Sequence, residues 1–352
     1  MKKEFYLVNI TNPVVPIAPE RYGFIHLNRT LSQNNLPETR KKKDTTFLSG
    51  LRKIFFAYVK ILSFISNNRD KSYLILTQPP LLHYFILTLF PAVAKRSALI
   101  LMDLYPQLLL NGIEKHLKIK NLCNQIFLKP ILLFDKIIFI ADGPSFRFAL
   151  KNSKKQNVFL ARNLTSLPPL KRTVTKKLNC VRILYQGSFN ITADPKYMSI
   201  IEQVLKDEGI IFTSNVKKGF LKSKIRSQKK VSDMELVDRM KLNNFGLIVL
   251  KKTISDYTNP SKFVSYLSQG LPVLYFGPED NEIYHLIAEE KCGIVLPDDK
   301  LDLKRLFKSQ VFNDMSLYSK HQKNALRVYN KYYGDSVLTK IWHQILKNKP
   351  SL

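Results

Sequence analysis

The sequence predicts an α/β protein of two domains, each built on a parallel β-sheet. The chain has 352 residues, about twice the usual length of one domain. Short apolar runs alternate with segments of helical length, which is typical of parallel strands covered by helices on both faces. The alternation stops in the proline-containing, aperiodic stretch Ala161–Cys180 and then starts again. These observations indicate two units of alternating strands and helices.

The N-terminal half contains runs of aliphatic and aromatic residues that predict strands, because polar residues bound each run. They are Phe5–Asn9, Tyr73–Leu76, Ala98–Met102, Lys136–Ile140 and Asn157–Leu160. Segments of helical length between them include Leu51–Ile65 and Leu81–Val93. We therefore predict an N-terminal domain over residues 1–165 and a linker over residues 166–180.

Strand and helix signals alternate again after the linker. The predicted strands are Val181–Tyr185, Gly209–Thr213, Phe245–Leu250, Pro272–Phe276 and Gly293–Leu296. The predicted helices are Tyr197–Asp207, Ser232–Met240 with Ser232 as its N-cap, Ser261–Gln269 and Asn281–Glu290. Residues 181–315 form the predicted second domain, and residues 316–352 are a mostly helical tail.

The composition is unusual in its charge. Lys and Arg number 56 against 27 Asp and Glu, a formal net charge of +29. Such an excess favours an anionic partner, such as a nucleic acid, a phosphorylated substrate or an anionic lipid surface. A genome bias toward lysine and asparagine, with the lysines solvated at the surface, explains the excess equally well. Because no helix-turn-helix, RNA-recognition or zinc pattern is present, no nucleic-acid partner is expected.

Other features of the chain are typical of a cytoplasmic protein. The cysteines Cys123, Cys180 and Cys292 lie far apart and show neither metal-site nor disulfide spacing. The N-terminal apolar stretch stops at Asn9, so it predicts a first strand and not a signal peptide. The most apolar stretch, His83–Met102, is interrupted by two basic residues, so no transmembrane helix is expected.

The sharpest local signal is the segment Asn259–Val273, NPSKFVSYLSQGLPV. Pro260 opens a helix that ends at Gly270, and Pro272 prevents the helix from continuing into the next strand. A helix N-terminus offers free backbone N–H groups and the positive end of a dipole, which suit a diphosphate, and Lys262 adds a cation. An ordinary helix that leads into a strand would show the same pattern.

This segment resembles the donor-binding helix of GT-B glycosyltransferases, especially of glycosyltransferase family 4 and its relatives. The family pattern is Ser-Lys, then a tyrosine, then small residues and Gly-x-Pro-Val. Further blocks resemble the family in the same order over roughly residues 70–300. They are Thr77–Pro80, Asp103–Pro106, Ala161–Asn163, Arg182–Ser188, Ser232–Leu250 and Glu279–Val295.

The resemblance implies a GT-B fold, in which two Rossmann-like domains have parallel sheets facing a cleft. It implies transfer of a sugar from a nucleoside diphosphate sugar, with UDP favoured, to a free or lipid-linked saccharide in bacterial surface polysaccharide biosynthesis. The tail, residues 316–352, would pack back toward the N-terminal domain. No cofactor and no metal ion is expected, because enzymes of this kind stabilise the leaving diphosphate with a helix dipole and cations.

The resemblance also assigns the donor-binding residues. Gly187, in the loop after the first strand of the second domain, would let the backbone approach a phosphate. Lys252 and Lys262 would supply cations to the diphosphate. The full predicted set is Gly187, Ser188, Lys252, Pro260, Ser261, Lys262, Ser265 and Tyr266.

The chain departs from the family at several positions. Family 4 enzymes usually carry two glutamates that contact the sugar and the ribose, but counting back from Gly270 these positions hold Tyr257 and Ser265. The usual Arg and Lys after the glycine loop are also missing, with Ser188 and Ala193 near their places. Either the chain belongs to a divergent branch, such as the galactofuranosyl- and related glucosyltransferases, or it is an inactive GT-B partner subunit. A basic nucleic-acid-binding protein is a third hypothesis.

Two residues of the N-terminal half are candidates for catalysis. Asp103 follows the predicted strand Ala98–Met102, at the edge where α/β sheets place ligands, although a turn aspartate would stand there too. His26 follows the first strand and would serve an inverting enzyme as general base, although a core or loop histidine is the commoner occupant.

The N-terminal half also suggests a membrane surface as a partner. Phe47–Ile65 is apolar on one side with basic residues interspersed, and the basic cluster Arg40–Lys43 lies just before it. Such a segment either lies on an anionic bilayer or packs as a core helix. A lipid-linked acceptor would make a peripheral location at the inner face of the cytoplasmic membrane useful.

Overall fold

The structure is a computed structural model of the chain. It describes residues 5–8, 25–26, 58–59, 61–70, 72–76, 81–102, 122, 124–153, 157–163, 165, 167–170, 181–186, 192–214, 232–254, 259–309, 312 and 314–347. The chain divides into two compact units. The first is Met1–Ala161 with Thr339–Leu352, and the second is Arg162–Leu338.

The first unit contains a sheet of six parallel strands in the order β2-β1-β3-β4-β5-β6. The strands are β1 Phe5–Val8, β2 Ile25–His26, β3 Ser72–Leu76, β4 Ala98–Leu101, β5 Lys136–Phe139 and β6 Val158–Leu160. All except β2 match a predicted strand to within one residue at each end. Strand β2 was not predicted, because two residues are too short for a periodic signal.

Helices of this unit include α1 Leu82–Leu89, α2 Pro91–Ala94 and α3 Pro144–Asn152. Residues 61–67 are also helical, and a π-helical turn, Asn124–Leu128, runs into Lys129–Ile131. The prediction of one helix over Leu81–Val93 is wrong. Phe90 leaves the helical conformation at φ −136° and ψ 60°, since a residue before proline avoids it, and Pro91 begins a second helix.

The second unit contains a sheet of five parallel strands in the order β11-β10-β9-β7-β8. The strands are β7 Arg182–Tyr185, β8 Ile211–Ser214, β9 Phe245–Val249, β10 Val273–Phe276 and β11 Gly293–Val295, and each matches a predicted strand to within two residues. The helices are α4 Pro195–Asp207, α5 Asp233–Leu242, α6 Ser261–Ser268, α7 Glu282–Glu290, α8 Lys300–Lys308 and α9 Met315–Tyr332. Another helix, α10 Asp335–Lys347, begins in this unit and ends in the first.

Helices cover both faces of the second sheet. On one face, Phe263 and Leu267 of α6 pack with Ile283 of α7 in one core. On the other face, Ile201 of α4 packs with Leu303 of α8 in a second core. The strands therefore have both faces buried, which explains why they are continuous apolar runs in the sequence.

A buried lysine attaches α10 to the first sheet. Lys136, at the start of β5, is 4% exposed, and its ammonium group donates to the carbonyl of Ile345 in the last turn of α10. Helix C-termini have free carbonyl groups, so a cation is a suitable partner there. Among the residues that the structure describes, no helix is long and apolar enough to cross a membrane.

Candidate functional site

The N-terminus of α6 lies beside the carboxyl end of β7. Helix α6 leads into β10, so in a parallel sheet it begins at the edge where the strands end. Its first turn lies close to β7, because the Nζ of Lys262 is 4.0 Å from the centroid of the Tyr185 ring. Open α/β sheets bind ligands at this edge. The structure therefore brings Pro260, Ser261 and Lys262 together at a suitable place.

No side chain caps α6. The N-cap residue is Pro260, which has no polar side chain, whereas α4, α5, α7, α8 and α9 are all capped by the side chain at their N-cap. Ser232 caps α5 as predicted. Within the described part of the chain, the N–H groups of Ser261 and Lys262 have no hydrogen-bond partner. Such groups suit an anionic ligand.

Lys262 provides a cation whose charge depends on the surroundings. Burial lowers its pKa from 10.5 to about 7, and no carboxylate among the described residues pairs with it. Its ammonium faces the π-system of Tyr185, which is a weaker partner than an anion. A bound phosphate would restore the full charge of this side chain.

Tyr266 reaches this site only through the backbone. Its side chain is fully buried, and its hydroxyl accepts from the N–H of Gln186 at 2.9 Å and donates to the carbonyl of Leu184 at 3.2 Å. Its ring covers Gly246, where a Cβ atom would lie 2.4 Å from a ring carbon. A direct contact with a donor, as the sequence implies, would require this ring to leave the core. The structure supports a positioning role for Tyr266 instead.

Replacing Tyr266 by phenylalanine should lower the free energy of unfolding by about 1–3 kcal/mol, because the buried N–H of Gln186 loses its acceptor. Urea denaturation measures this loss. Tyr318→Phe is the matched control, since that hydroxyl is also buried and bonds the carbonyl of Asn244 before β9, at the opposite edge. We expect ligand binding to weaken only in the Tyr266 variant. Equal affinities in the two variants would contradict the positioning role.

Ser265 links α6 to the predicted linker. Its hydroxyl lies 3.0 Å from that of Thr165 and 3.4 Å from the carbonyl of Ser261. Nearby, the N–H of Leu170 donates to the carbonyl of Ser268, and Gln269 donates to the carbonyl of Pro168. The described residues of the linker therefore lie along α6 and hold it in place.

Lys252 has a different partner from the one predicted. Its ammonium is paired with Asp298 and lies 5.5 Å from the centroid of the Phe276 ring. The two residues line a cavity of about 560 Å³, together with Glu279 and Arg305. The charge of Lys252 is thus engaged beyond the ends of β10 and β11.

Several predicted site residues are outside what the structure describes. Asp103, Gly187 and Ser188 lie outside the described residues, as does Tyr257. His26 belongs to β2, but its side chain is not described. The roles of these residues remain predictions.

A buried ion pair behind α6 was not predicted. The guanidinium of Arg162 approaches the Oε1 of Glu282 to 2.7 Å through Nε and 2.6 Å through Nη2, and these side chains are 13% and 3% exposed. The guanidinium also lies 5.0 Å from the centroid of the Tyr332 ring. Because the pair is separated by 120 residues, no local pattern in one sequence shows it.

Two asparagines extend this ion pair toward α6. The Nδ2 of Asn259 donates to the Oε2 of Glu282 at 3.4 Å, and the Nδ2 of Asn163 donates to the backbone carbonyl of Asn259 at 3.3 Å. Asn259 directly precedes Pro260, the N-cap of α6. We call Arg162, Asn163, Asn259 and Glu282 the buried network.

Comparison with known proteins gives structural matches only. No protein-family model and no curated protein matches the sequence. Among solved structures, HepE of Anabaena in complex with UDP-glucose is 12% identical, with a TM-score of 0.62 over 97% of this chain and 98% of that chain. WaaG, a glycosyltransferase involved in lipopolysaccharide biosynthesis, is 13% identical, with a TM-score of 0.52 over 89% of each chain.

A third match is to a longer protein. TarM of S. aureus, in complex with UDP and saccharides, is 12% identical, with a TM-score of 0.55 over 84% of this chain. The chain spans only 59% of the length of TarM. At these identities the matches show the fold, and the predicted GT-B fold is confirmed.

Proposed function

We propose that this protein is a glycosyltransferase that moves a sugar from a nucleoside diphosphate sugar, with UDP favoured, to a saccharide acceptor. The observation that carries the proposal is the uncapped N-terminus of α6 with Lys262 beside it, in a chain with the GT-B fold. HepE and TarM, which share this fold, were solved with UDP-glucose and with UDP.

The chemistry follows from the charges at this site. When the bond between the anomeric carbon and the diphosphate breaks, negative charge grows on the diphosphate oxygens. The N–H groups of Ser261 and Lys262 and the ammonium of Lys262 would stabilise that charge. Gly187 and Ser188 remain the proposed loop contacts. The acceptor hydroxyl attacks the anomeric carbon, and Asp103 and His26 remain the proposed groups to take its proton.

Calorimetric titration with UDP, GDP and a polynucleotide tests the donor site. We expect UDP to bind, since the site suits a diphosphate and the bulk of the surface does not. Binding of the polynucleotide alone would contradict the proposal and favour the basic nucleic-acid-binding protein. UDP binding without transfer or hydrolysis of any UDP-sugar would favour the inactive partner subunit.

We also propose that the acceptor is lipid-linked, in bacterial surface polysaccharide biosynthesis, and that the protein works on an anionic membrane surface. The first unit exposes large apolar side chains on neighbouring segments: the ring of Phe85 in α1 is 47% exposed and lies 5.4 Å from that of Tyr58. Val59 and Leu89 are 49% and 55% exposed. Exposed apolar side chains on a chain of net charge +29 suit an anionic bilayer.

Vesicle flotation tests the membrane proposal. The protein should float with vesicles of phosphatidylglycerol, and the double variant Phe85→Ser and Leu89→Ser should float less. Leu301→Ser is the matched control, because this leucine is 64% exposed in the second unit. If the unaltered protein stays at the bottom of the gradient with anionic vesicles, the proposal is wrong.

A further inference from the structure

The buried network contains two amide groups whose orientation is fixed. The amide nitrogen of Asn259 faces the carboxylate of Glu282, and that of Asn163 faces the backbone carbonyl of Asn259. Turning either amide over would place its oxygen against another acceptor. The donors of both amides must therefore point into the network.

This orientation leaves both amide oxygens without a donor. Within the described part of the chain, the Oδ1 atoms of Asn163 and Asn259 are buried and have no hydrogen-bond partner. Buried amide oxygens are normally satisfied, and an unsatisfied one in a native structure calls for an explanation. The residues are 2% and 7% exposed, so Asn259 is the nearer to the surface.

The position of Asn259 points to a ligand with hydroxyl groups. It directly precedes the N-terminus of α6, where the proposed function places the diphosphate of the donor. A nucleotide sugar carries hydroxyl donors on both sides of its diphosphate, on the ribose and on the transferred sugar. The chain has no carboxylate at Tyr257 or Ser265 to accept them, so the acceptors must lie elsewhere.

We propose that Asn259, supported by Asn163, accepts hydroxyl groups of the nucleotide sugar and replaces the missing carboxylates as a specificity-determining residue. The inference rests on the proposed function. Glu282 and Arg162 hold the two amides so that their oxygens stay available. Because the Oδ1 of Asn259 is covered in the ligand-free chain, the atoms around it shift when the ligand enters.

Calorimetric titration of Asn259→Leu with UDP and with UDP-glucose tests this role. We expect binding to weaken about five- to tenfold, the effect of losing one neutral hydrogen bond. An equal loss for both ligands identifies the ribose as the hydroxyl source, and a loss for UDP-glucose alone identifies the transferred sugar. Should Asn259→Leu fail to fold, Asn259→Ser and Asn163→Leu serve in its place.

Asn243→Leu is the matched control for these variants. Asn243 is also a buried asparagine that donates to a backbone carbonyl, but it follows α5 at the opposite edge of the sheet. Its replacement should lower the melting temperature without changing affinity. A folded Asn259→Leu protein that binds both ligands as tightly as the unaltered protein overturns this inference alone. Failure of the unaltered protein to bind UDP overturns the proposed function instead.

Discussion

Replacing Lys262 by alanine is expected to weaken UDP binding by about tenfold to a hundredfold at pH 6.5, where most of the lysine is charged. A hydrogen bond to a charged group contributes about 1.5–3 kcal/mol, and no other cation among the described residues lies in the first turn of α6. Calorimetric titration measures the change. Lys241→Ala is the matched control, since this lysine is 50% exposed in the last turn of α5.

The same site should bind UDP less tightly as the pH rises. The pKa of Lys262 is about 7 in the free protein, and a bound diphosphate raises it, so binding takes up a proton above pH 7. The dissociation constant should then increase up to tenfold per pH unit between pH 7 and the pKa of the complex. In Lys262→Arg the guanidinium stays charged, and the pH dependence should disappear. A pH-independent affinity in the unaltered protein would show that Lys262 does not contact the diphosphate.

Lys262 should also cost the free protein stability. Its folded pKa, about 7, lies below the unfolded value of 10.5, so the unfolded chain binds more protons between these values and stability rises with pH there. Lys262→Met removes the buried charge and should raise the free energy of unfolding at pH 6 on the order of 1–2 kcal/mol. Urea denaturation at pH 6 and pH 9 measures this difference, which should be smaller at pH 9.

The second large effect concerns the ion pair of the buried network. Glu282→Ala should lower the free energy of unfolding by about 3–5 kcal/mol, because it leaves the guanidinium of Arg162 buried without its carboxylate. Replacing both residues by methionine should cost less than Glu282→Ala alone, since no uncompensated charge then remains.

Glu235→Ala is the control for this effect. It breaks an ion pair with Arg239 on the surface of α5, where the side chain of Glu235 is 52% exposed, and should cost no more than about 1 kcal/mol. Urea denaturation at neutral pH compares the three variants. Similar losses for Glu282→Ala and Glu235→Ala would show that burial does not strengthen the first pair.

The strands were predictable because they are buried on both faces. All residues of β4, β5, β9 and β10 are buried, and each strand is a continuous apolar run in the sequence. Helix α8 was missed because its segment, KLDLKRLFK, is mostly polar and its apolar positions are few. The break between α9 and α10 at Tyr333 and Gly334 was also missed, although a glycine after a helix is a known stop signal.

The candidate site was predictable where its signal is local. Pro260, Ser261 and Lys262 are neighbours in the sequence, and the structure brings them to the same helix end. The direction of Tyr266 needed the fold, although its spacing from Phe263 indicates the apolar face of the helix. The buried network required the fold entirely, because its members are distant along the chain.

The return of α10 to the first unit has a consequence for how the protein is made. The second unit is one continuous stretch, Arg162–Leu338, whereas the first needs Thr339–Leu352 as well. Trp342, which is 1% exposed, lies in that last stretch. During synthesis, therefore, the second unit leaves the ribosome complete while the first still waits for its last helix. The fragment 162–338 should fold by itself, and the fragment 1–161 should not; circular dichroism of the two fragments would show the difference.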